Sequence, residues 1–273
     1  MVYRLQKLPT PQGVGASQTA TCRIPLGPTY TALMLEVKSG QTNQPVTTVN
    51  LDNGIGEIRL IVDGDTKMRG DASYFRKRAA FYGIPWVQGC LPLMLTSPWA
   101  RTRGGEDSTG YGTAGGTMSN FTLEVDFTAT LNNPKLEVYS RQSDPRPFGT
   151  HLRIQPYADN FGFVGEHEMA GIPALGPHRL LALDIDNANI GELEVLANNV
   201  RQYISTPIIR EQQLRTSGRT PQDGFTHIDF IGEQRMDEAL PLTLTDFRVK
   251  ADFTTAPDAF KIYAATIQDD NIT

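Results

Sequence analysis

The 273-residue chain has two cysteines, two tryptophans and four histidines. So few thiols and imidazoles exclude a disulfide framework or a cysteine-rich zinc fold. Cys22 and Cys90 read as buried thiols of a protein made in a reducing cytoplasm. No stretch approaches the ~18 consecutive apolar residues of a membrane helix. The opening "MVYRLQKLPTPQG" lacks the apolar core of a secretion signal, so none is expected. Basic charge is not in excess: 25 Lys and Arg face 30 Asp and Glu, a net charge of −5. Such a chain offers no broad cationic surface for phosphates, and direct nucleic-acid binding is not expected. A Ser-His-Asp order, a P-loop and a cysteine–histidine pairing are also missing. The chain therefore reads as no enzyme, with no cofactor required for chemistry.

Glycine (25) and proline (18), by contrast, are plentiful and dispersed, as in a fold with many turns. Within that pattern one order of segments occurs twice. "CRIPLGPTYTALMLEV" (Cys22–Val37) and "AGIPALGPHRLLALDI" (Ala170–Ile185) share Ile-Pro, then Leu-Gly-Pro, then an apolar run. The segment from Gly56 to Gly89 lies without gaps on that from Gly191 to Gly224, with Gly83 on Gly218. Each copy opens with a β-like run: Ile58, Leu60, Ile61 and Val62 in one, Leu193, Val195, Leu196 and Ala197 in the other. A helix start follows, with Asp71 or Thr206 as N-cap and Pro207 ready for the first turn. Gly83 and Gly218 stand where a left-handed C′ residue ends a helix. Ala72, Phe75, Ala79 and Tyr82 recur at helical spacing and predict one buried stripe.

A third block keeps the order. In "NFTLEVDFTA" Phe121, Leu123, Val125 and Phe127 alternate with polar residues, and in "DFRVKADFTT" Phe247, Val249, Ala251 and Phe253 do the same. Period two marks a strand with one dry and one wet face. "PKLEVYSR" and "FKIYAATI" close the two copies. Together these predict an all-β protein of two tandem eight-stranded antiparallel jelly-roll sandwiches, each with one short helix. The turn-rich "SDPRPFG" (Ser143–Gly149) sets the boundary, giving residues 1–144, with a short N-terminal arm, and 145–273.

In order along the chain, "LPTPQGVGASQTATCRIPLGPTY", "NNPKLEVYSR", "GPHRLLALDI", "GFTHIDFI" and "LTDFRVKADFTTAPDAFKIYAATI" resemble segments of the major capsid protein of the corticoviruses, tailless icosahedral phages with an internal membrane. The resemblance implies a double jelly roll that trimerises into a pseudo-hexameric tile of a virion shell over a lipid vesicle. Its expected partners are two further copies, neighbouring trimers, a penton or vertex protein and membrane-associated virion proteins. Structural calcium is implied in the same way, with no ligand carried over to any residue here. The glycine-rich "RTRGGEDSTGYGTAGGTMSN" (Arg101–Asn120) departs from the family in length or composition.

Several short motifs have a second reading. "GYGTAGG" (Gly110–Gly116) spells a dinucleotide fingerprint, but polar loop precedes it and a strand follows, so it reads as a surface loop. "RGD" (Arg69–Asp71) reads as the helix N-cap rather than an adhesion signal. "EHE" (Glu166–Glu168), with His178 beyond, lacks metal-ligand spacing on a helix and reads as solvated loop. His151 and His227 read as half-buried strand residues. "DGD" (Asp63–Asp65) reads as a turn and "DID" (Asp184–Asp186) as a polar strand face, either able in principle to serve calcium. "NFT" and "NIT" match glycosylation acceptors without a secretion route. The competing class is a β-sandwich that binds or hydrolyses glycans. It needs paired carboxylates in a cleft or an aromatic platform, and Trp86 and Trp99 are its only tryptophans.

Overall fold

A computed structural model describes residues 3–41, 43–96, 108–170, 172–233 and 235–269. The chain forms two compact units, one running to Arg153 and the other from Ile154 to Gln268. In the first unit the strands are β1 (Arg4–Lys7), β2 (Thr19–Arg23), β3 (Thr29–Ser39), β4 (Gln44–Pro45), β5 (Ile55–Val62), β6 (Asp65–Gly70), β7 (Cys90–Met94), β8 (Tyr111–Gly112), β9 (Phe121–Phe127) and β10 (Lys135–Ser143). Among the described residues its helices are α1 (Thr48–Gly54) and α2 (Ala72–Phe81). The second unit uses β11 (Thr150–Asp159), β12 (Gly165–Ala170), β13 (Arg179–Ile185), β14 (Ile190–Ala197), β15 (Val200–Ser205), helix α3 (Pro207–Thr216), β16 (Thr226–Asp229), β17 (Leu240–Pro241), β18 (Phe247–Phe253) and β19 (Phe260–Asp269).

The pairing order repeats strand for strand. In the first unit β1-β10-β3-β7 makes one sheet and β6-β5-β9-β2 the other. In the second, β11-β19-β13-β16 answers the first sheet and β15-β14-β18-β12 the second. Both units are thus antiparallel eight-stranded jelly rolls, with β4, β8 and β17 added as two-residue pairings.

The duplication reaches irregular details that no composition bias could copy. The β5–β9 ladder slips between Ile55 and Ile58, and the β14–β18 ladder between the equivalent Ile190 and Leu193. A second bulge follows Leu60 in one unit and Val195 in the other. Bulges re-aim a strand and are kept where the bend matters. The hairpin turns also match. Asp63 and Gly64 have φ of 48° and 88°, and Asn198 and Asn199 have 50° and 61°, the two left-handed residues that a type I′ turn requires. The Asp63 carboxylate accepts from the amides of Ser119 and Asn120 at 2.9 and 2.6 Å. Asn198 Oδ1 accepts from those of Thr245 and Asp246 at 2.9 and 3.2 Å.

The cores follow from alternation. Phe121, Leu123, Val125 and Phe127 are buried along β9, as are Phe247, Val249, Ala251 and Phe253 along β18, while the residues between them face out. One position corrects the simple alignment of the two opening motifs. A bulge between Leu180 and Ala182 shifts β13 by one residue, so that Leu183 and Ile185 point into the core.

The helices depart from expectation in two ways. The first unit carries a second helix, α1, in an insertion between β3 and β5 with no counterpart after β13. With only Leu51 and Gly54 buried over seven residues, it has no apolar stripe for sequence reading to find. The N-caps also differ. Asp71 accepts from the Tyr74 amide at 2.8 Å, whereas Thr206 makes no side-chain cap and the start of α3 rests on Pro207. Replacing Asp71 by alanine is therefore expected to cost about 1 kcal/mol. The same change at Thr206 should cost little, and paired urea titrations of the two variants measure the difference. Gly83 and Gly218 end the helices with φ of 75° and 72°, as expected.

Candidate functional site

The histidines and carboxylates singled out in the sequence are held by their own units. His227 on β16 lies opposite Asp184 on β13, and its Nδ1 sits 2.8 Å from the Asp184 carboxylate. The Gln222 amide donates to the other ring nitrogen at 3.4 Å, and Phe225 stacks on the ring. "DID" is therefore not a polar strand face. The β13 bulge turns Asp184 away from the apolar core into a second buried layer, where His227 satisfies it, while Asp186 lies beyond the strand and exposed. His227 is fully buried there rather than half-buried. His151 is also fully buried, its Nδ1 2.8 Å from the Gly149 carbonyl and its ring stacked on Phe148.

"EHE" is not solvated loop but strand β12, with Glu166 and Glu168 outward and His167 inward. The His167 ring stacks on Phe161 at 4.2 Å and bonds the Phe163 carbonyl through Nε2 at 2.8 Å. His178, half-buried, stands before β13. The glycine-rich fingerprint is not a surface loop at its start. Tyr111 is fully buried in β8 and donates to the Leu152 carbonyl at 2.5 Å. Gly112 lies so close to the Arg146 and Pro147 carbonyls that a Cβ would collide with them. Gly112 thus serves close strand packing, whereas Gly115 and Gly116 form an exposed left-handed turn with φ of 76° and 72° and open no helix, so the motif is not a phosphate cradle.

"RGD" is divided between structural tasks: Arg69 Nε donates to Glu57 at 2.7 Å, and Asp71 caps α2. "DGD" is the turn expected, with Asp65 paired to Lys67 at 2.9 Å and Arg153 at 3.0 Å. Asn120 of "NFT" accepts from the Thr122 hydroxyl at 3.2 Å. "NIT", Trp99 and the first part of the Arg101–Asn120 tract lie outside the described residues. Trp86 is half-buried beneath the Arg76 guanidinium, 5.8 Å from its ring, and presents no open platform. Among the described residues no three His, Cys, Asp or Glu side chains converge as metal ligands. Of the carboxylates considered for calcium, Asp63, Asp65 and Asp184 are engaged by amides, Lys67, Arg153 and His227.

Cys22 is buried, its Sγ 3.4 Å from the Pro9 carbonyl, and burial pushes its thiol up to about 11. Cys90 is half-buried on β7, also pushed up by burial.

A dense surface charge cluster surrounds Arg59, on the wet face of β5. Its guanidinium contacts Glu57 at 2.7 Å, Glu124 at 3.0 Å and Asp126 at 2.7 Å. In the second unit the cross-strand partners at these places are Glu194 and Lys250, the same pair with its signs exchanged. Burial raises the Asp126 carboxyl, but bonds from Arg59 and Thr19 outweigh it and hold the group below the usual range. Glu57 is likewise lowered by Arg69 and Arg59 against the effect of burial. A depressed folded pKa stabilises above the unfolded value and is lost as pH falls through the folded one. Stability should therefore decline below about pH 4. Arg59→Gln should flatten that acid limb, which denaturant titrations across pH would read.

The apolar surface is concentrated elsewhere. A groove of about 340 Å³ on the outer side of β3 and β7 is lined by Met34, Ile84, Pro85, Val87, Pro92 and Met94, among others. In the second unit Ile208 and Ile209 stand 79% and 59% exposed on the first turn of α3. Sequence reading passed over both. The available signal was "PIIR", which puts two isoleucines at the places of Ser73 and Tyr74 in the other copy.

The family model of the viral coat protein P2 N-terminal domain matches residues 5–143, and that of its C-terminal domain matches residues 152–269. The crystal structure of the major capsid protein P2 of bacteriophage PM2 superposes with a TM-score of 0.88 at 17% identity, covering 98% of each chain. The major capsid protein of STIV (Sulfolobus Turreted Icosahedral Virus) gives a TM-score of 0.68 at 9% identity over 97% of each chain. The PBCV-1 virus capsid gives 0.68 at 10% identity over 97% of this chain and 93% of that one. No match was found among curated protein sequences.

Proposed function

The chain belongs to the viral coat protein P2 family, both of whose domains it carries, and we propose that it is the major capsid protein of an icosahedral virus with an internal membrane. The observation that carries this reading is the strand-for-strand repetition of one jelly roll within a single chain. Two near-equivalent barrels per chain let three chains present six similar edges, so that a three-fold object meets its neighbours as a hexagonal tile would. The role is structural and non-enzymatic, and the protein resides in the virion shell after synthesis in the host cytoplasm. Its partners are two further copies, adjacent trimers, a vertex protein and membrane-associated virion proteins. A net charge of −5 suits a wall kept from the genome by lipid.

Light scattering on the purified protein tests this directly. Three chain masses are expected at micromolar concentration, and a monomer under every salt and calcium condition would end the reading. In this reading structural calcium acts between trimers, where carboxylates of different copies can converge. Chelation should then loosen assembled shells and leave the melting temperature of the isolated trimer unchanged.

A further inference from the structure

The two units expose opposite parts of the same fold. In the second unit the outer side of the β19-β13-β16 sheet is closed off: Ala182, Asp184, His227, Asp229, Tyr263 and Ala265 are all buried. On the equivalent β10-β3-β7 sheet of the first unit the outer side is open. There Met34, Pro92, Met94 and Cys90 are only half-buried, with Val87 69% exposed at the edge, and together they line the groove. The helices reverse this pattern. On α2, Tyr74, Arg78 and Phe81 are buried in addition to Phe75 and Ala79. On α3 only Arg210 and Leu214 are buried, and the surface offered instead is Ile208 and Ile209, with Ile204 exposed on the strand just before.

Each duplicated surface is thus satisfied in one unit and bare in the other, and both bare surfaces are predominantly apolar, Arg141 being the one charged residue that lines the groove. Exposed apolar patches of this kind mark contacts, because solvent contact costs free energy that burial returns. One is concave and the other convex. They are also unlike surfaces, so a contact between them is head-to-tail. It leaves one of each free at the ends of any open chain and is saturated only when a ring closes.

We propose that the first turn of α3 in one copy, through Ile208 and Ile209, seats in the Met34–Met94 groove of a second copy, and that this contact closes the trimer. The inference rests on the capsid reading but names the surfaces that reading leaves unassigned.

Cys90 lines the groove, which provides the test. In Ile209→Cys protein a short bis-maleimide should link chains into covalent dimers and trimers. Cys90→Ser combined with Ile209→Cys should give none, since Cys22 is buried. Ile208→Asp with Ile209→Asp should weaken association on the order of 100-fold or more while circular dichroism stays that of the folded chain. If the wild type is trimeric, yet the double aspartate variant stays trimeric and Ile209→Cys gives no links, this proposal is wrong and the capsid reading stands. A variant that remains trimeric but no longer joins shells, or no longer binds phospholipid vesicles, assigns the patch to another occupant and also overturns it. A monomeric wild type removes both.

Discussion

Asp229→Ala should destabilise the second unit by about 3–5 kcal/mol, the largest effect expected of any single charge change in the described residues. Arg219 and Asp229 form an ion pair at 2.6 Å whose side chains are 3% and 1% exposed. Arg219 also donates to the Ile231 carbonyl at 3.3 Å, and the Ile231 amide donates to Asp229 at 3.2 Å. Taking two charges out of water is costly, and their mutual attraction with these extra bonds roughly offsets that cost. Removing the carboxylate leaves the guanidinium desolvated and alone, which is why the loss is far greater than the worth of the pair. The double variant Arg219→Met with Asp229→Leu should recover most of the stability, because neither charge is then buried. Urea unfolding of the three proteins checks this. A single-variant loss below about 1 kcal/mol would mean that water reaches the pair.

Phe253→Ala is expected to cost roughly 3–5 kcal/mol through a different cause, the cavity it leaves. Phe253 is fully buried on β18. Its ring centroid lies 5.4 Å from Phe260, 5.6 Å from His167 and 6.0 Å from Phe161. Such rings cannot slide into the void without breaking the β12–β18 register and the His167 bond to Phe163. On the same strand Lys250 faces out, and Lys250→Ala should change stability by no more than about 0.5 kcal/mol. Thermal melts of the two variants side by side would expose a misassigned face, since a reversed pattern requires β18 to be turned over.

The parts of this fold legible in the sequence were those set by local rules. Alternation along Phe121–Phe127 and Phe247–Phe253 needs only a dry and a wet side. The capping role of Asp71 and the left-handed Gly83 and Gly218 need only the geometry of a helix end. The equivalence of the two halves was legible as well, because it lies in the order of segments. Helix α1 was not legible, since it holds its place through Leu51 and an ion pair between Asp52 and Arg76 rather than an apolar stripe. The histidines were misjudged for a related reason. A lone His in a strand carries no sign of whether a carboxylate such as Asp184 will stand opposite it.

By itself, then, the chain's order of residues determined the class of fold, its doubling and the inward face of each long strand, because these depend on neighbours a few positions apart. Only the tertiary structure decided which of two equivalent surfaces is closed and which is bare. Burial depends on what segments distant in sequence bring to a face, and a one-residue bulge at Leu181 is enough to exchange a core position for an outer one.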